Sequence, residues 1–424
     1  MGIEGNKKFV DLTRHSGVVM GVLLTLVACG SDTSSIESVT GFLMPTEGEG
    51  PLYGVVSRIT LPSGASTVVA IVDSLEAQHV DTRTALELAG FAAAHGSLEI
   101  PGAVFMGSAE APEFTRYELG ADGILAPGAS FSLANFGLSR APRSVVFVSP
   151  TRAYAISAET HQLFVWNPEQ MIVDRVIELG MLERPGYTPA WVFGAAVLGN
   201  QLLIPITWVR ADEGDPGAAP DSALLVVNVD TGALSVQEEG RCGGFRAIYP
   251  SGSGDVYFSS SAGAPATWNR LYGERGGSAP CLVRLRPGQA AIDDSFLLRP
   301  AEFAPHPVAV DFSPAGPDHL IFQALDESLV SPDAQAEELW SAAAWRFYSI
   351  PASALETGGV GAAELVDLPA SALNALRFRI DDQHFVPQIL ADYSQTTLVN
   401  ISDPANPVDG PTIQGSVGNF FRIR

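Results

Sequence analysis

Lysine is almost absent from this 424-residue sequence, since only Lys7 and Lys8 occur and both lie near the N-terminus. Acidic residues outnumber lysine and arginine by 47 to 24, so the formal net charge is −23. A chain with this charge repels nucleic acid and anionic lipid headgroups. We therefore expect no nucleic-acid partner and no membrane surface bound through charge.

Catalytic motifs with a specific spacing are also missing. The sequence contains no His-Glu-x-x-His, no Gly-x-Ser-x-Gly, no glycine-rich phosphate loop and no EF-hand series. Its seven histidines are scattered singly. The acidic run Asp212–Asp215 has the side chains to bind calcium, but one loop of carboxylates is more typical of a solvated surface. The sequence therefore assigns no catalytic residue, no metal and no cofactor.

Cysteine is scarce, with only Cys29, Cys242 and Cys281. In an oxidising compartment the last two are expected to form a disulfide. A pair of buried free thiols is the main alternative. Zinc ligation by the pair is disfavoured, because no histidine or cysteine stands two to four residues from either one.

Residues 1–28 have the layout of a bacterial lipoprotein signal peptide. Lys7, Lys8 and Arg14 precede an apolar run that begins at Val18, and this run is too short for an ordinary membrane-spanning helix. The run ends in Leu-Val-Ala-Cys, which matches the lipobox, so we predict that Cys29 is lipidated after cleavage. A plain secretory signal and an uncleaved anchor are the alternatives.

Residues 29–50 follow as a lipidated N-terminus and flexible tether, because this stretch is polar and lacks apolar periodicity. Gly30, rather than an aspartate, follows the cysteine, which favours the outer membrane. The sequence thus predicts a cell-envelope protein, held by its lipid and either periplasmic or surface-exposed.

Residues 51–424 read as an all-β domain, because short β-rich runs alternate with turns and no long segment keeps a 3.6-residue pattern. Six pairs of such runs recur at intervals of about 50–60 residues. The pairs are 103–108 with 114–119, 152–157 with 163–166, 201–205 with 224–229, 255–259 with 281–285, 319–322 with 345–350, and 383–386 with 397–401. The run at 66–72 supplies a strand for a seventh unit.

A four-stranded unit repeated seven times is typical of a β-propeller with antiparallel blades. A β-sandwich lacks such a long regular period, and a β-helix needs a shorter one. The terminal runs Tyr53–Ile59 and Asn419–Arg424 are expected to pair within one blade and close the ring.

Three consecutive blades have long connections between their second and third strands, which should emerge on one face. These connections are Thr207–Ser222, Ser260–Pro280 and Asp326–Ala344, the last with a short helix capped by Ser331. We predict that they form a ligand-binding lip. Its candidate residues are Trp208, Arg210, Trp268, Arg270, Tyr272 and Trp340. The alternative is that each tryptophan pins its own loop onto the blade.

A second group of candidates stands at or before the starts of inner strands. Arg143, Arg246 and Arg377 would form a positive rim able to hold an anionic ligand, unless they pair with neighbouring carboxylates. His306, between two prolines, is the histidine best placed to reach the channel mouth, although an isolated histidine is more often a structural hydrogen-bonding group.

The lipobox, together with Val72–Leu75, Arg116-Tyr117, Val165–Pro168 and Cys281–Leu285, resembles the MxcI-type and DUF4374-type propeller lipoproteins. The resemblance covers nearly the whole chain after the signal peptide and rests on strand and turn matches. It implies a cell-surface propeller, in some relatives encoded beside siderophore or iron-acquisition functions. It carries over no active site.

These observations predict a lipid-anchored binding module whose long-loop face takes a small ligand or an envelope protein. The alternative is a secreted propeller enzyme, of lactonase, lyase or hydrolase type, acting at the mouth of the central channel. An enzyme requires titratable groups that converge at that mouth. A purely structural surface protein is the third interpretation.

Replacing Cys29 by serine removes the thiol that would carry the lipid, so we expect the Cys29→Ser protein to move from the membrane fraction to the soluble fraction. Fractionation of cells with immunoblotting measures this, and the neighbouring Ser31→Ala variant is the control that keeps the lipid. Retention of the Cys29→Ser protein in the membrane fraction would show that the leader acts as an uncleaved anchor.

Overall fold

Seven β-sheets form a ring in the computed structural model of this chain. The structure describes residues 50–61, 64–190, 195–210, 218–251, 254–260, 280–289, 291–299, 302–306, 309–334, 336–356, 363–373, 376–390 and 392–424. The sheets are the blades of a seven-bladed β-propeller, as the sequence predicts. The predicted signal peptide, Cys29 and nearly all of the tether lie outside the described residues.

The strands are numbered in chain order, and the blades are given from the central channel outward. Blade 1 contains β29 (Ser416–Arg422), β1 (Tyr53–Leu61), β2 (Gly64–Val72) and β4 (Leu86–Ala89). Blade 2 contains β5 (Ala93–Gly96), β6 (Ala103–Gly107), β7 (Glu113–Leu119) and β8 (Leu125–Ser132). Blade 3 contains β9 (Ser144–Ser149), β10 (Arg152–Ser157), β11 (Gln162–Asn167) and β12 (Ile172–Glu178).

Blades 4 to 6 follow the same order with small departures. In blade 4, β13 (Tyr187–Ala190) and β14 (Ala196–Leu198) both pair with β15 (Gln201–Arg210), followed by β16 (Ala218–Asn228) and β17 (Leu234–Glu239). Blade 5 contains β18 (Phe245–Pro250), β19 (Val256–Ser260) and β20 (Leu282–Leu285), with isolated bridges to Ile292 and Leu298 at the outer edge. Blade 6 contains β21 (Ala309–Pro314), β22 (His319–Leu325), β23 (Trp345–Pro351) and β24 (Glu364–Leu365).

Blade 7 contains β25 (Phe378–Ile380), β26 (Gln383–Ile389), β27 (Gln395–Asn400) and β28 (Val408–Gln414), and β3 (Gln78–His79) adds a parallel strand at its outer edge. The helices are short: α-helices at Ala336–Ser341 and Ala352–Glu356, and 3-10 turns at Ala134–Phe136, Gly180–Leu182 and Glu327–Leu329. Among the described residues, no helix has the length and apolar character needed to span a membrane.

Each blade buries both of its faces against its neighbours, because successive strand residues point to opposite sides. In β1, Val55 packs in the cluster shared with blade 7, whereas Val56 packs in the cluster shared with blade 2. The same alternation sends Phe420 toward blade 7 and Phe421 toward blade 2. Seven such clusters, one at each blade boundary, form the core of the described ring.

Ring closure is achieved by the C-terminal strand, as the terminal runs predict. β29 pairs with β1 from Tyr53 opposite Arg422 to Arg58 opposite Ser416. The side chain of Asn419 extends this closure to blade 2, because its Nδ2 donates to the Ala94 carbonyl over 2.7 Å. The first and last described strands are thus held in one sheet, and the Asn419 hydrogen bond links that sheet to blade 2.

The predicted disulfide between Cys242 and Cys281 is confirmed. It joins Cys242, shortly before inner strand β18, to Cys281, immediately before β20, within blade 5. The buried ion pair of Arg284 with Asp293, 2.6 Å from Nη2 to Oδ2, holds the irregular outer edge of the same blade. Covalent and ionic links therefore reinforce the blade in which a regular fourth strand is missing from the described residues.

The long connections differ in part from the sequence prediction. The first is mostly a β-hairpin, because β15 continues to Arg210 and β16 begins at Ala218. In the third, Ser331 accepts a hydrogen bond from the Asp333 amide, but the helix begins later, at Ala336. Residues 211–217 and 261–279 of the other excursions lie outside the described residues, as do Asp212–Asp215.

Replacing Gly96 by alanine, which adds a methyl group, tests the close contact between β5 and the closing strand β29. The added Cβ would overlap the ring of Phe421 and stand 2.9 Å from the Arg422 carbonyl oxygen. Because that backbone oxygen is fixed by β29, we expect Gly96→Ala to lower the free energy of unfolding by about 2 kcal/mol.

Denaturant unfolding measures this loss. Gly180→Ala is the matched control, because a Cβ at Gly180 meets no atom within 4 Å. Equal midpoints for both variants would contradict the close contact between β5 and β29.

Candidate functional site

The central channel contains a cavity of about 800 Å³ that is lined by residues of all seven blades. The inner strands run in the same direction, because each antiparallel blade is entered from the outer strand of the preceding one. Arg143 and Arg377 immediately precede β9 and β25, and both line the cavity. They therefore stand at the end of the channel where inner strands begin, which we call the entry end.

The opposite end is formed by residues that follow the inner strands. Leu98 and Glu99 come after β5, line the cavity and are exposed. The Gly102 amide, in the same turn, donates to the carbonyl of Ile423, just beyond β29, over 2.8 Å. Arg143 and Arg377 thus stand at the entry end, whereas Glu99 stands at the exit end together with Arg379, which also lines the cavity and lies 3.7 Å from Asp382.

Arg58 is the third cationic residue of the entry end, although it belongs to the second strand of blade 1. It lies opposite Ser416, the first residue of β29. A Cβ on Gly418 would stand 3.2 Å from its Nε, so this glycine leaves the space through which the side chain passes to the channel. Its guanidinium lies over the ring of Phe91, with Cζ 5.6 Å from the ring centroid.

Arg58 and Arg143 lack carboxylate partners within the described part of the chain. The Nε–H group of Arg58 is buried and donates to no partner there, and no ion pair forms at either residue among the described ranges. Burial lowers the pKa of Arg58, and the positive charge of Arg143 lowers it further. Two cations of like charge therefore face one cavity and repel each other.

Arg377 is held differently from this pair. Its Nη1 donates to the Leu376 carbonyl over 2.7 Å, and its Nη2 lies 3.4 Å from Oε1 of Gln323. The guanidinium also packs over Phe347, 5.1 Å from the ring centroid. Arg377 thus adds positive charge to the entry end in a position fixed by its neighbours.

Two histidines line the cavity but carry no charge near neutral pH. Burial lowers the pKa of His95 to about 4, against a hydrogen bond to the Arg143 backbone that favours the charged form. Burial also lowers the pKa of His384, and Arg379 lowers it further. The positive charge of the entry end therefore comes from arginine.

Asp311, on β21, is a distinct polar feature of the channel wall. Its φ of 55° lies in the left-handed region, which is uncommon for residues other than glycine. The register of β21 shifts between Val310 and Ser313, so the strand bulges at this residue. Asp311 is only 2% exposed and lines the cavity. Strained backbone at a cavity wall is a feature of functional sites.

The structure separates the predicted candidates. Arg143 and Arg377 line the cavity, whereas His306 is absent from the described cavity lining and packs instead beside Tyr348, with ring centroids 6.1 Å apart. Arg210 ends β15 and is half-buried. Arg246 and Trp340 lie in β18 and in the helix Ala336–Ser341, but their side chains are outside the description, as are the whole residues Trp268, Arg270 and Tyr272.

Trp208 requires a correction. It is 4% exposed, packs in the cluster between blades 3 and 4, and donates from Nε1 to the Leu182 carbonyl over 2.9 Å. The ring faces the neighbouring blade because β15 extends through this position. The alternative stated above, in which the tryptophan pins its own hairpin, therefore describes Trp208.

Arg58, His95 and Asp311 have no sequence signal that marks them as channel residues. Arg58 is one polar position in an alternating strand, and only its close approach to Gly418 shows where its side chain goes. Within the described residues, no group of three or more His, Cys, Asp or Glu side chains is arranged to hold a metal ion.

No protein-family model matches the sequence, and no curated protein is detectably similar to it. Among solved structures, a protein from Lactobacillus plantarum is similar at 10% identity with a TM-score of 0.50, covering 89% of this chain and 100% of that one. Apo AztD from Citrobacter koseri is similar at 11% identity with a TM-score of 0.47, covering 88% and 98%. At these identities, the likeness to the Lactobacillus plantarum protein supports the fold alone.

Removing the unpaired cation should stabilise the free protein. We expect Arg58→Met to raise the free energy of unfolding by about 1 kcal/mol, because it relieves burial of a charge and its repulsion from Arg143. Arg284→Met is the matched control, since it removes the buried partner of Asp293 and leaves that carboxylate only the half-exposed Arg286, so the free energy of unfolding should fall by about 3 kcal/mol.

Thermal and denaturant unfolding of both variants at neutral pH measure these changes. A loss of stability in Arg58→Met comparable to that of Arg284→Met would show that Arg58 has a structural role.

Proposed function

We propose that this protein is an extracytoplasmic binding module that holds an anionic ligand at the entry end of its propeller channel. The observation that carries the proposal is the pair Arg58 and Arg143, which face the cavity without a carboxylate partner in the described residues. An anion would supply the missing counter-charge. Guanidinium groups bind carboxylate and phosphate oxygens with two parallel hydrogen bonds.

The overall charge of the chain makes this pair informative. With 47 acidic and 24 basic residues, carboxylates are abundant enough to neutralise most arginines. Arg184, Arg284 and Arg346 each have such a carboxylate partner. Leaving two neighbouring cations unpaired costs stability, and proteins retain such costs at sites where function requires them.

A propeller enzyme acting in the same channel is the second candidate function. The left-handed backbone and buried carboxylate of Asp311 favour it. Against it, the two channel histidines have lowered pKa values, and within the described ranges no three or more His, Cys, Asp or Glu side chains are arranged to hold a metal ion. The binding role therefore has the stronger support.

The proposal includes the predicted location. Lipidation at Cys29 would anchor the propeller to the cell envelope, and the resemblance to MxcI-type and DUF4374-type lipoproteins would connect it with siderophore or iron acquisition. A ferric siderophore bearing carboxylate groups belongs to the anionic class that an arginine pair selects.

The test is calorimetric titration of the folded propeller with inorganic phosphate, acetate and hexanoate. We expect at least one of these anions to bind, and we expect Arg58→Gln and Arg143→Gln each to weaken that binding by about tenfold or more, because each removes a charged hydrogen-bond donor. Added sodium chloride should also weaken it.

Arg83→Gln is the matched control, because it removes an arginine that is 81% exposed and paired with Asp81. Its affinity should equal that of the natural protein. Failure of all three anions to bind, or equal binding to the Arg58→Gln/Arg143→Gln double variant, would overturn the proposed function.

A further inference from the structure

The channel wall beside the arginines is apolar and only half-buried. Directly after Arg143, the strand β9 presents Val145, Val146 and Phe147 to the cavity, and Ile248 of β18 lines it as well. All four pack against the clusters between blades but remain intermediate in exposure. The cavity therefore offers apolar surface that the fold covers only in part.

This arrangement has the composition of a small-molecule pocket. Such pockets are lined mostly by apolar side chains with a few placed polar groups, and have volumes of roughly 300–1,000 Å³. The channel cavity, at about 800 Å³, lies within that range. Covering the half-buried wall would remove apolar surface from water, which is favourable in proportion to the area.

The distribution of charge along the channel determines the orientation of a ligand that binds both the arginines and the apolar wall. The entry end carries Arg58, Arg143 and Arg377. At the exit end Arg379 is paired with Asp382, and exposed Glu99 gives these three residues a net negative charge. An anionic head group is attracted to the first end and repelled from the second. An apolar body attached to that head must then extend along the wall formed by β9 and β18.

We propose that the ligand is a small amphiphilic carboxylate, whose head binds Arg58 and Arg143 and whose apolar body lies against Val146, Phe147 and Ile248. This inference rests on the proposed function, since it names the class of anion that the same site takes. It distinguishes a carboxylate with a hydrocarbon body from a small hydrophilic ion such as phosphate.

A chain-length series tests the inference on the folded propeller. Acetate, butanoate, hexanoate and octanoate are titrated separately, and we expect affinity to rise by about threefold for each methylene that enters the channel. Octanamide keeps the body but lacks the charge, so its affinity should be at least tenfold lower than that of octanoate.

Two isoleucine variants test whether the apolar body of the ligand contacts the cavity wall rather than another part of the surface. Ile248→Ser should weaken octanoate binding about fivefold and leave acetate binding unchanged, because only the longer ligand reaches this side chain. Ile172→Ser is the matched control, since Ile172 is 46% exposed on the outer strand β12 and should leave both affinities unchanged.

The outcomes distinguish the two proposals. Equal affinity along the series, with binding still lost in Arg58→Gln, would overturn the amphiphilic ligand and leave the anion site in place. Equal affinity for octanoate and octanamide would overturn the role of charge and with it both proposals. Absence of binding by every carboxylate would overturn the amphiphilic ligand, and phosphate binding alone would then still support the anion site. Should Ile248→Ser fail to fold, the series in the natural protein decides the question.

Discussion

Burial of both faces of every blade is the constraint on which the rest of this structure depends. A sheet hydrophobic on both sides is stable only between two neighbours, so the row of blades must close on itself. The alternation of Val55 and Val56, and of Phe420 and Phe421, supplies the two faces of blade 1 from adjacent residues. Because β29 comes from the far end of the chain, closure and the formation of the last two cores are one event.

The channel and its charge are consequences of this closure. Arg58 reaches the cavity across Gly418, which belongs to the closing strand, and Arg143 immediately precedes the inner strand of blade 3. Between them lies blade 2, whose inner strand carries His95 and is stapled to β29 by Asn419. The proposed anion site is therefore assembled from three successive blades and exists only when the two ends of the chain are paired.

Sequence reasoning reached the fold because the repeat is encoded in local patterns. Runs such as 152–157 and 163–166 coincide with second and third strands, and each tight turn marks the return within a blade. The disulfide followed from the presence of two cysteines in a predicted oxidising compartment. Arg143 and Arg377 could be placed because their position at strand starts follows from the repeat alone.

Other features depend on geometry that no local pattern contains. The direction of the Trp208 ring follows from how far β15 extends, and the route of Arg58 depends on a register shift in the pairing of β1 with β29. Asp311 lies at a bulge in β21 and has left-handed backbone. The residues next to it in sequence do not predict this conformation. The sequence therefore does not predict which way side chains point at bulges and in extended hairpins.

The pairing of Leu52 with Arg424, through an amide-to-carbonyl bond of 3.1 Å, has a consequence for access. β1 runs antiparallel to β29, so it starts at the exit end, on the same side as the turn containing Gly102. The described chain therefore enters the ring on the Glu99 side. Its first residues thus occupy the end of the channel opposite the guanidinium groups, and a ligand that reaches the arginines from the entry end does not pass them.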